Sequence, residues 1–243
     1  MIAPPIVGIA TSQGGRPTNA DYASCHRHPG PAGTVALSLV DGIGNKPDDV
    51  EAAYLAAEFA ARIGARRGAM EGVMAAAAIL TNPTMEFPTP DSVIALAVAR
   101  PAEPTVISHV GDVLAYAFDG TELLRLTTPH TKAERLLNEG QPADSTRRYR
   151  HVPITSLARA APTTISLAET FAPVVVLLSD GVHTALDHQQ LTDLIRAHSD
   201  DAQACAQALV DAARERRPEG DNATAAVLIH PDPTPVDVNK LGR

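Results

Sequence analysis

Three aspartates at the edges of apolar segments are the residues of this sequence best suited to chemistry. Asp41 follows the run Leu-Ser-Leu-Val, Asp180 follows Val-Val-Val-Leu-Leu-Ser, and Asp221 shortly precedes Thr-Ala-Ala-Val-Leu-Ile. Such runs are typical of buried strands, and strand ends at one sheet edge can bring distant residues together. Hard cations such as Mg²⁺ or Mn²⁺ require oxygen ligands, which carboxylates on strand ends provide. The pattern therefore indicates a divalent-cation site.

Each of these positions also has a simpler interpretation. Gly42 and Gly181 follow the first two aspartates and Asn222 follows the third, and Asp-Gly and Asp-Asn pairs are ordinary turn formers. A glycine after the aspartate would also let the backbone carbonyl approach an ion. One position taken alone favours the ordinary turn, whereas the three together, in their flanking contexts, favour the cation site.

The elements that must position the aspartates fall into blocks of strands and blocks of helices. Short apolar or alternating segments between turn residues predict strands, and apolar residues at helical spacing predict helices. This grouping favours a mainly antiparallel sheet system flanked by helices. The predicted strands span residues 34–40, 93–99, 105–110, 114–118, 123–126, 165–167, 174–178 and 224–229. The predicted helices span residues 50–64, 71–80, 132–138, 189–197 and 202–216.

Two regions have more specific predictions. Residues 93–126 predict consecutive antiparallel strands, with a hairpin at Asp119-Gly120, because a tight primed turn requires positive φ angles that Asp and Gly tolerate. Residues 141–159 are polar, rich in arginine and weakly periodic, which predicts a mobile surface segment.

Composition and charge limit the class of protein. A chain of 243 residues with 44% hydrophobic content fits a single domain, predicted over residues 1–230 with a disordered tail at 231–243. The net charge of −8 without a long basic run argues against nucleic acid as a partner. No segment approaches the ~18 apolar residues of a membrane span, and the two cysteines lack disulfide spacing. A soluble, cytoplasmic monomer without membrane association is expected.

Six motifs in order, covering residues 14–229, resemble those of the metal-dependent protein phosphatases, the type 2C serine/threonine class, in its compact bacterial form. That resemblance implies an α+β fold, an α-β-β-α layered sandwich with a flap segment at about residues 132–160. The motifs are Arg16-Pro17-Thr18-Asn19-Ala20-Asp21, Val40-Asp41-Gly42-Ile43-Gly44, Val110-Gly111-Asp112, Thr128-Pro129-His130-Thr131, Leu178-Ser179-Asp180-Gly181 and Gly220-Asp221-Asn222-Ala223-Thr224.

The resemblance implies a role for each of seven positions. Two divalent cations, Mn²⁺ or Mg²⁺, would share one carboxylate, and a third, weaker position would lie beside them. Arg16 and Asp41 would be the catalytic residues. The implied roles are Asp41 bridging both ions, the Gly42 carbonyl on one, Asp180 and Asp221 on the other, Asp21 supporting the second ion directly or through water, Asp112 at the third position, and Arg16 gripping the phosphate.

Elementary chemistry agrees with these implied roles. A phosphate monoester dianion repels hydroxide, so its hydrolysis requires positive charge and a source of hydroxide near neutral pH, which two bridged cations supply. Arg16 adds a planar fork of donors suited to phosphate. The implied reaction is direct attack of a metal-activated water on phosphoserine or phosphothreonine of a protein. The implied partners are phosphoprotein substrates and a serine/threonine kinase or its targets.

The sequence departs from the family pattern at four places. Ala20 replaces a frequent Glu or Gln, which puts part of the second metal's shell in doubt. Ile43 stands where animal members carry a proposed acid, His, so water would protonate the leaving group. Val113-Leu114 replaces Ser-Arg beside the third position, and Asn45 replaces a glycine of the bridging turn. These changes are compatible with activity or with lowered activity.

Two alternatives share the fold. One is a catalytically weak or silent regulatory binding module, to which the change at Ala20 points; the other is a phosphatase of small metabolites. The remaining clusters favour ordinary roles: Cys25, His26 and His28 a surface loop rather than a zinc site, His130 a packing residue rather than an acid or base, and Arg147, Arg148 and Arg150 a solvated face rather than a substrate contact.

Overall fold

The computed structural model describes residues 4–29, 33–81 and 90–231. Two five-stranded sheets lie face to face between helices. The elements are β1 (Ile6–Ser12), β2 (Asp21–Arg27), β3 (Val35–Gly42), α1 (Pro47–Arg67), α2 (Ala69–Leu80), β4 (Ser92–Ala99), β5 (Thr105–Val110), β6 (Leu114–Phe118), β7 (Leu123–Arg125), α3 (Lys132–Asn138), α4 (Ala143–Thr146), β8 (Ser166–Thr170), β9 (Val174–Leu178), α5 (Asp180–His183), α6 (His188–Ala197), α7 (Ala202–Arg216) and β10 (Ala223–Ile229).

All strand pairs in both sheets are antiparallel. One sheet has the order β1-β10-β9-β6-β7, and the other has the order β2-β3-β4-β5-β8. Helices α6 and α7 bury their apolar faces against the first sheet, and α1 and α2 do so against the second. A third apolar cluster fills the space between the sheets. The predicted α-β-β-α sandwich is therefore confirmed.

Small residues allow the two helices on the second sheet to pack closely. Helix α1 buries seven alanines, between Ala52 and Ala65. A Cβ on Gly72 of α2 would lie 2.7 Å from the Ala60 carbonyl oxygen and 2.4 Å from Leu96. Because neither contact is sterically possible, glycine at this position lets α2 approach both α1 and the sheet.

Most element predictions agree with the structure, and two strands were missed. Helices α3 and α7 and strands β5, β6 and β9 have the predicted bounds. Helix α1 begins three residues earlier than predicted, because Pro47 opens the first turn and the Asp49 carboxylate accepts from the Lys46 N–H at 2.9 Å. Strands β1 and β2 were not predicted, and Cys25 and His26 lie in β2 rather than in a loop.

The hairpin at Asp119-Gly120 is confirmed, but its predicted turn type is wrong. The loop has four residues between the paired Phe118 and Leu123, and only Gly120 has a positive φ, of 102°. The Asp119 side chain instead accepts hydrogen bonds from the N–H groups of Thr121 and Glu122, at 2.7 and 2.8 Å. These hydrogen bonds form an Asx turn, in which the Asp119 side chain stabilises the four-residue loop.

The prediction of consecutive antiparallel strands fails between β5 and β6, because the chain crosses there from one sheet to the other. Strand β6 pairs with β7 and β9, and not with β5. Gly111, at the crossing, has φ of 97°, and a Cβ there would lie 2.1 Å from a methyl carbon of Val93. The bend thus requires glycine, and Asp112 follows directly after it.

The arginine-rich segment 141–159 has more structure than predicted. It contains α4 and two turns of 3₁₀ helix, Arg147–Tyr149 and Leu157–Arg159, and Leu157 is fully buried. Its mobility stays a prediction, as does the single-domain boundary, and the tail from residue 232 lies outside the described residues. None of the helices in the described ranges combines the length and the apolar run that spanning a bilayer requires.

Candidate active site

Strand ends from both sheets bring the predicted carboxylates to one place. Asp21 and Asp41 lie opposite each other in the pairing of β2 with β3, Asp180 begins α5 directly after β9, and Asp221 shortly precedes β10, the neighbour of β9. A cavity of about 550 Å³ opens at this edge. Six of the seven predicted site residues line it: Arg16, Asp41, Gly42, Asp112, Asp180 and Asp221.

Asp21 is the predicted site residue that does not line the cavity. It is 4% exposed, and its Oδ2 accepts a hydrogen bond of 2.7 Å from the Ser179 hydroxyl. Its Oδ1 is buried without a hydrogen-bond partner. Burial raises the pKa of Asp21 to about 7, with the charges of Asp180 and Asp221 adding to the rise. Its role at the second ion stays a prediction, because a buried carboxylate beneath the cavity would need water or a small shift to reach an ion.

The carboxylates of Asp41 and Asp112 are also difficult to ionise without a cation. Burial raises the pKa of Asp41 well above its usual value, and the charges of Asp21 and Asp180 add to the effect. Burial, with the charge of Asp180, raises the pKa of Asp112 to about 6. Loss of hydration on burial is the main physical cause in both cases, and repulsion from neighbouring carboxylates adds to it.

Asp180 is held in its ionised form by histidine. Its Oδ2 lies 2.9 Å from Nδ1 of His151, which comes from the flap segment. Burial alone would raise the pKa of Asp180, but the hydrogen bond from His151 and the charge of His183 outweigh it, so this pKa is lowered. The same hydrogen bond raises the pKa of His151. His151 was not predicted from the sequence, since it is 29 residues from its partner.

Two arginines hold Asp221 and its turn. The Arg16 guanidinium forms an ion pair with the Asp221 carboxylate. Arg214 of α7 donates through Nη2 to the backbone oxygens of Ser12, at 2.7 Å, and Asp221, at 2.5 Å. The turn before β10 is thereby tied to the end of β1. Arg214 carries no motif signal, so sequence alone could not identify it.

Asn222 fixes the segment that carries Arg16. Its Nδ2 donates to the carbonyl oxygens of Gln13, at 2.7 Å, and Thr18, at 3.0 Å. Its Oδ1 accepts from the N–H of Ala20 at 2.9 Å. One buried side chain thus uses three hydrogen-bonding positions to hold the first motif against the last.

The chemistry of the donor set fits a hard divalent cation. Every candidate ligand is an oxygen, one buried carboxylate oxygen of Asp21 has no partner, and the raised pKa values of Asp21, Asp41 and Asp112 reflect negative charge that a cation would neutralise. Within the described ranges, however, no three His, Cys, Asp or Glu side chains converge on one point. Cation binding would compete with Arg16 and His151 for the oxygens of Asp221 and Asp180.

The departures from the family pattern are accommodated by packing. Ala20 is buried beside Gly42, whose added Cβ would lie 3.1 Å from that of Ala20. Val113 and Leu114 are buried in apolar clusters, so they support the sheets instead of reaching the cavity opening. Ile43 lines the cavity and is 44% exposed.

The other residues singled out from the sequence lie apart from this cavity. His130 does not line it; its ring bonds to Ser166 Oγ at 2.9 Å, accepts from the Gly111 N–H at 3.3 Å, and stacks on His109. Cys25 and His26 join no metal-ligand group in the part of the chain that the structure describes. The contacts of His130 favour its predicted packing role, and among the described residues no zinc site forms at Cys25 and His26, which lie in β2.

Sequence and structure comparisons find similarity to phosphatases. Residues 152–221 match the family model of protein phosphatase 2C. The S. agalactiae serine/threonine phosphatase is 17% identical with a TM-score of 0.78, covering 93% of this chain and 99% of that chain. The Mycobacterium smegmatis PPM Ser-Thr phosphatase MsPP, solved with cacodylate, is 23% identical with a TM-score of 0.71, covering 92% and 97%. The catalytic domain of the serine/threonine protein phosphatase PstP, solved with two manganese ions, is 19% identical with a TM-score of 0.73, covering 93% and 97%.

No curated protein sequence matches the chain. The similarity is therefore carried by the fold over nearly the whole chain and by the sequence over residues 152–221, which include Asp180 and Asp221. The chain has the fold of the bacterial serine/threonine phosphatases and, across that segment, the sequence pattern of protein phosphatase 2C, which confirms the resemblance drawn from its motifs.

Proposed function

We propose that the chain is a metal-dependent serine/threonine protein phosphatase that hydrolyses phosphoserine and phosphothreonine esters on proteins. The observation that carries the proposal is a single cavity in which Asp41, Asp180 and Asp221, from distant parts of the chain, meet Arg16. The match of residues 152–221 to the protein phosphatase 2C family supports it. Phosphoprotein substrates imply a serine/threonine kinase that acts on the same proteins.

The carboxylates would hold two divalent cations. Asp41 would contribute to both positions, the Gly42 carbonyl to one, and Asp180 and Asp221 to the other, while Asp112 would line a weaker third position. Two divalent cations bound there would lower the pKa of a nearby water and neutralise charge on the phosphoryl oxygens. PstP was solved with two manganese ions, which supports Mn²⁺ as a suitable cation here.

Arg16 is the residue of this chain best placed to orient the phosphate. Its side chain is 45% exposed at the cavity and pairs with Asp221. A guanidinium presents donors in a planar fork that matches two phosphate oxygens, which a lysine does not reproduce. Release from Asp221 would free it to donate to the phosphoryl group.

No residue is needed to form a covalent intermediate. Ile43 lines the cavity at the position of the acid proposed for animal members, and its side chain has no proton to give. The departing serine or threonine oxygen would therefore take its proton from water. This arrangement predicts that good leaving groups, which need less protonation, are hydrolysed faster than alkyl esters.

The proposal is tested by hydrolysis of p-nitrophenyl phosphate and of phosphoserine peptides, with Mn²⁺, Mg²⁺ or a chelator. We expect activity only with metal, and a loss of at least about 10- to 100-fold in Asp180→Asn, because removing a direct ligand should cost no less than removing a residue that supports one. Asp211→Asn is the matched control, since Asp211 is exposed on α7 and bonds only to Gln207 in the same helix.

The outcomes separate the candidate functions. Activity that persists under chelation would refute the metal mechanism. Metal binding without turnover of any phosphoester would support the silent regulatory module. Turnover of p-nitrophenyl phosphate and small phosphorylated metabolites, with phosphopeptides left at background, would support a metabolite phosphatase.

A further inference from the structure

A second cavity adjoins the catalytic one. It has a volume of about 500 Å³ and lies between β6, β7 and the flap segment. Asp112, His151 and Asp180 line both cavities, so the two adjoin at the catalytic carboxylates. A volume of this size suits a short stretch of peptide. A substrate whose phosphate lies in the first cavity can therefore lay its neighbouring residues in the second.

Two arginines of the flap segment face this second cavity together. Arg147 and Arg150 both line it, whereas Arg148, between them, does not. The turn Arg147–Tyr149 is a 3₁₀ helix, in which side chains three residues apart lie on the same face. The Nε of Arg150 donates to the Arg147 carbonyl oxygen at 3.2 Å, which fixes the direction of its side chain.

The charges of this pair are available to a ligand. The ion pairs among the described residues include neither Arg147 nor Arg150. Arg148 is engaged differently, because its guanidinium lies 4.7 Å from the centre of the Tyr149 ring. Arg150 directly precedes His151, which bonds to Asp180, so the charge of Arg150 belongs to the same stretch of chain as the contact to the catalytic carboxylates.

The cavity is not uniformly basic. Glu134 of α3 and Asp144 of α4 also line it, and the floor is apolar, formed in part by Leu114 and Tyr116. Arg125 of β7 lines the cavity as well. The contribution of Arg147 and Arg150 is therefore the part of any preference for negative charge that is lost when these two residues are replaced. Arg147 and Arg150 nevertheless add two positive charges outside the ion pairs of the described residues, beside the catalytic site of a chain with a net charge of −8.

We propose that the second cavity is a substrate subsite in which Arg147 and Arg150 bind acidic side chains next to the phosphorylated residue. The protein would thus select phosphoproteins whose phosphoserine or phosphothreonine lies in an acidic sequence. This inference rests on the proposed function, since it names the substrate class of that same site. Carboxylates are the natural partners of arginine forks.

The expected preference is moderate, because Arg147 is exposed and Arg150 half-buried. Exposed ion pairs contribute little individually, so two of them correspond to a preference of about 3- to 10-fold in kcat/KM. The preference should weaken with added salt, because such charges are screened.

The test uses phosphoserine peptides that carry Asp, Asn or Lys at the three positions on either side, hydrolysed by the full chain with Mn²⁺. We expect the Asp peptides to exceed the Asn peptides on at least one side of the phosphoserine, and the Lys peptides to be poorest. The readout is the ratio of kcat/KM between Asp and Asn peptides within each variant, which cancels any change in general activity.

Three variants test whether the Asp/Asn ratio depends on Arg147 and Arg150. R147Q/R150Q should lower the ratio towards 1, although Arg125 stays in the cavity. The charge reversal R147E/R150E should bring the ratio below 1. R148Q is the control, because it removes a positive charge from the same turn but not from the lining of the cavity. It should keep the Asp/Asn ratio of the unmodified chain. A ratio that is already 1 in the unmodified chain, or that persists in R147E/R150E, would overturn the subsite.

Failure of the subsite and failure of the proposed function give different results. Equal turnover of all peptides rejects the subsite and keeps the phosphatase. If no phosphoester is hydrolysed with any metal, fluorescence anisotropy with a fluorescein-labelled Asp phosphopeptide still tests the surface. Tighter binding of the Asp than of the Asn peptide, abolished in R147E/R150E, then supports it, and equal binding overturns it.

Discussion

The two sides of the catalytic cavity are held by different kinds of interaction. On one side, Asp21 and Asp41 lie in neighbouring paired strands, whose register is fixed by seven successive residue pairs of β2 and β3. On the other side, His151 belongs to a segment without strand pairing beyond a single bridge of Thr131 with Pro153. The strand side and the flap segment thus differ in how many contacts determine their position.

This difference separates the predicted metal ligands from the residues around them. Carboxylates that must stay at fixed mutual distances despite their repulsion come from strand ends, where many backbone hydrogen bonds oppose a shift. The residues proposed to contact the substrate come from the flap segment, which can differ without disturbing the sheets. Substitutions on the strand side should therefore change the free energy of unfolding and the ionisation of the carboxylates. Substitutions in the flap segment should change the local order of that segment.

The largest effect is expected for Asp21→Asn on the strand side, measured without metal. The pKa of Asp21 is about 7 in the folded chain against 3.8 for an unperturbed aspartate, so the folded state holds the proton more tightly than the unfolded state does. Ionising this carboxyl therefore destabilises the fold increasingly as pH rises from about 4 to about 7. Asparagine cannot ionise, and its oxygen can still accept from Ser179. The variant should thus gain stability relative to the unmodified chain across this range, by on the order of 3 kcal/mol above pH 7.

Urea unfolding of both proteins at several pH values in chelator measures this gain. A stability difference that stays constant from pH 4 to pH 8 would contradict the raised pKa of Asp21. Asp48→Asn serves as the control, because Asp48 is exposed in the first turn of α1. Its stability difference should not follow the same curve.

Asn222 joins the first and last motifs. A somewhat smaller effect on stability is expected for Asn222→Ala. The substitution removes three hydrogen bonds and leaves the buried N–H of Ala20 without its partner. We expect a loss of about 2–3 kcal/mol, or about 5–10 °C in Tm for a chain of this size. Activity should fall as well, because the segment that carries Arg16 loses its anchor.

Scanning calorimetry and p-nitrophenyl phosphate hydrolysis report the two consequences together. Asn138→Ala is the matched control, since Asn138 is an exposed residue at the end of α3. An Asn222→Ala protein as stable as this control would mean that the two motifs are held together by other contacts.

The difference between the strand side and the flap segment also explains which features could be predicted from the sequence alone. The aspartates of the strand ends could be identified, because an apolar run that stops at Asp is a local pattern and the order of motifs adds to it. The bounds of α7 and β9 could be predicted for the same reason. The order of strands could not, because the crossing at Gly111 depends on Val93, which lies in a different strand.

The contacts of the flap segment were beyond prediction for a related reason. His151 meets Asp180 across 29 residues, and Asp91 meets Ser156 across 65. Neither pair lies in a periodic pattern, since each depends on how an irregular segment packs on a finished sheet. The three arginines of residues 147–150 could be seen in the sequence, but their division into a pair that lines the cavity and one that stacks on Tyr149 could not.

The smallest and most local effect is expected at Asp91, because this residue holds the end of the flap segment. Its substitution therefore tests the comparison between the flap segment and the strand side. Its carboxylate accepts from the Ser156 hydroxyl at 2.5 Å and from the Ala158 N–H at 2.9 Å, and its carbonyl oxygen accepts from the N–H of Ile43, in the turn after Asp41. Asp91→Ala should cost about 1–2 kcal/mol, most of it as local opening of the flap segment.

Limited trypsin digestion distinguishes local opening from general destabilisation, since Arg147, Arg148, Arg150 and Arg159 all lie in the flap segment. Cleavage there should become faster in Asp91→Ala, while Tm changes less than in Asn222→Ala. Asp200→Ala, at an exposed turn before α7, should leave both unchanged. Asp91→Ala could instead lower Tm as much as Asn222→Ala and leave cleavage of the flap segment unaltered. The flap segment would then belong to the same cooperative unit as the strand ends, because Asp91 would be part of what holds the sheets together.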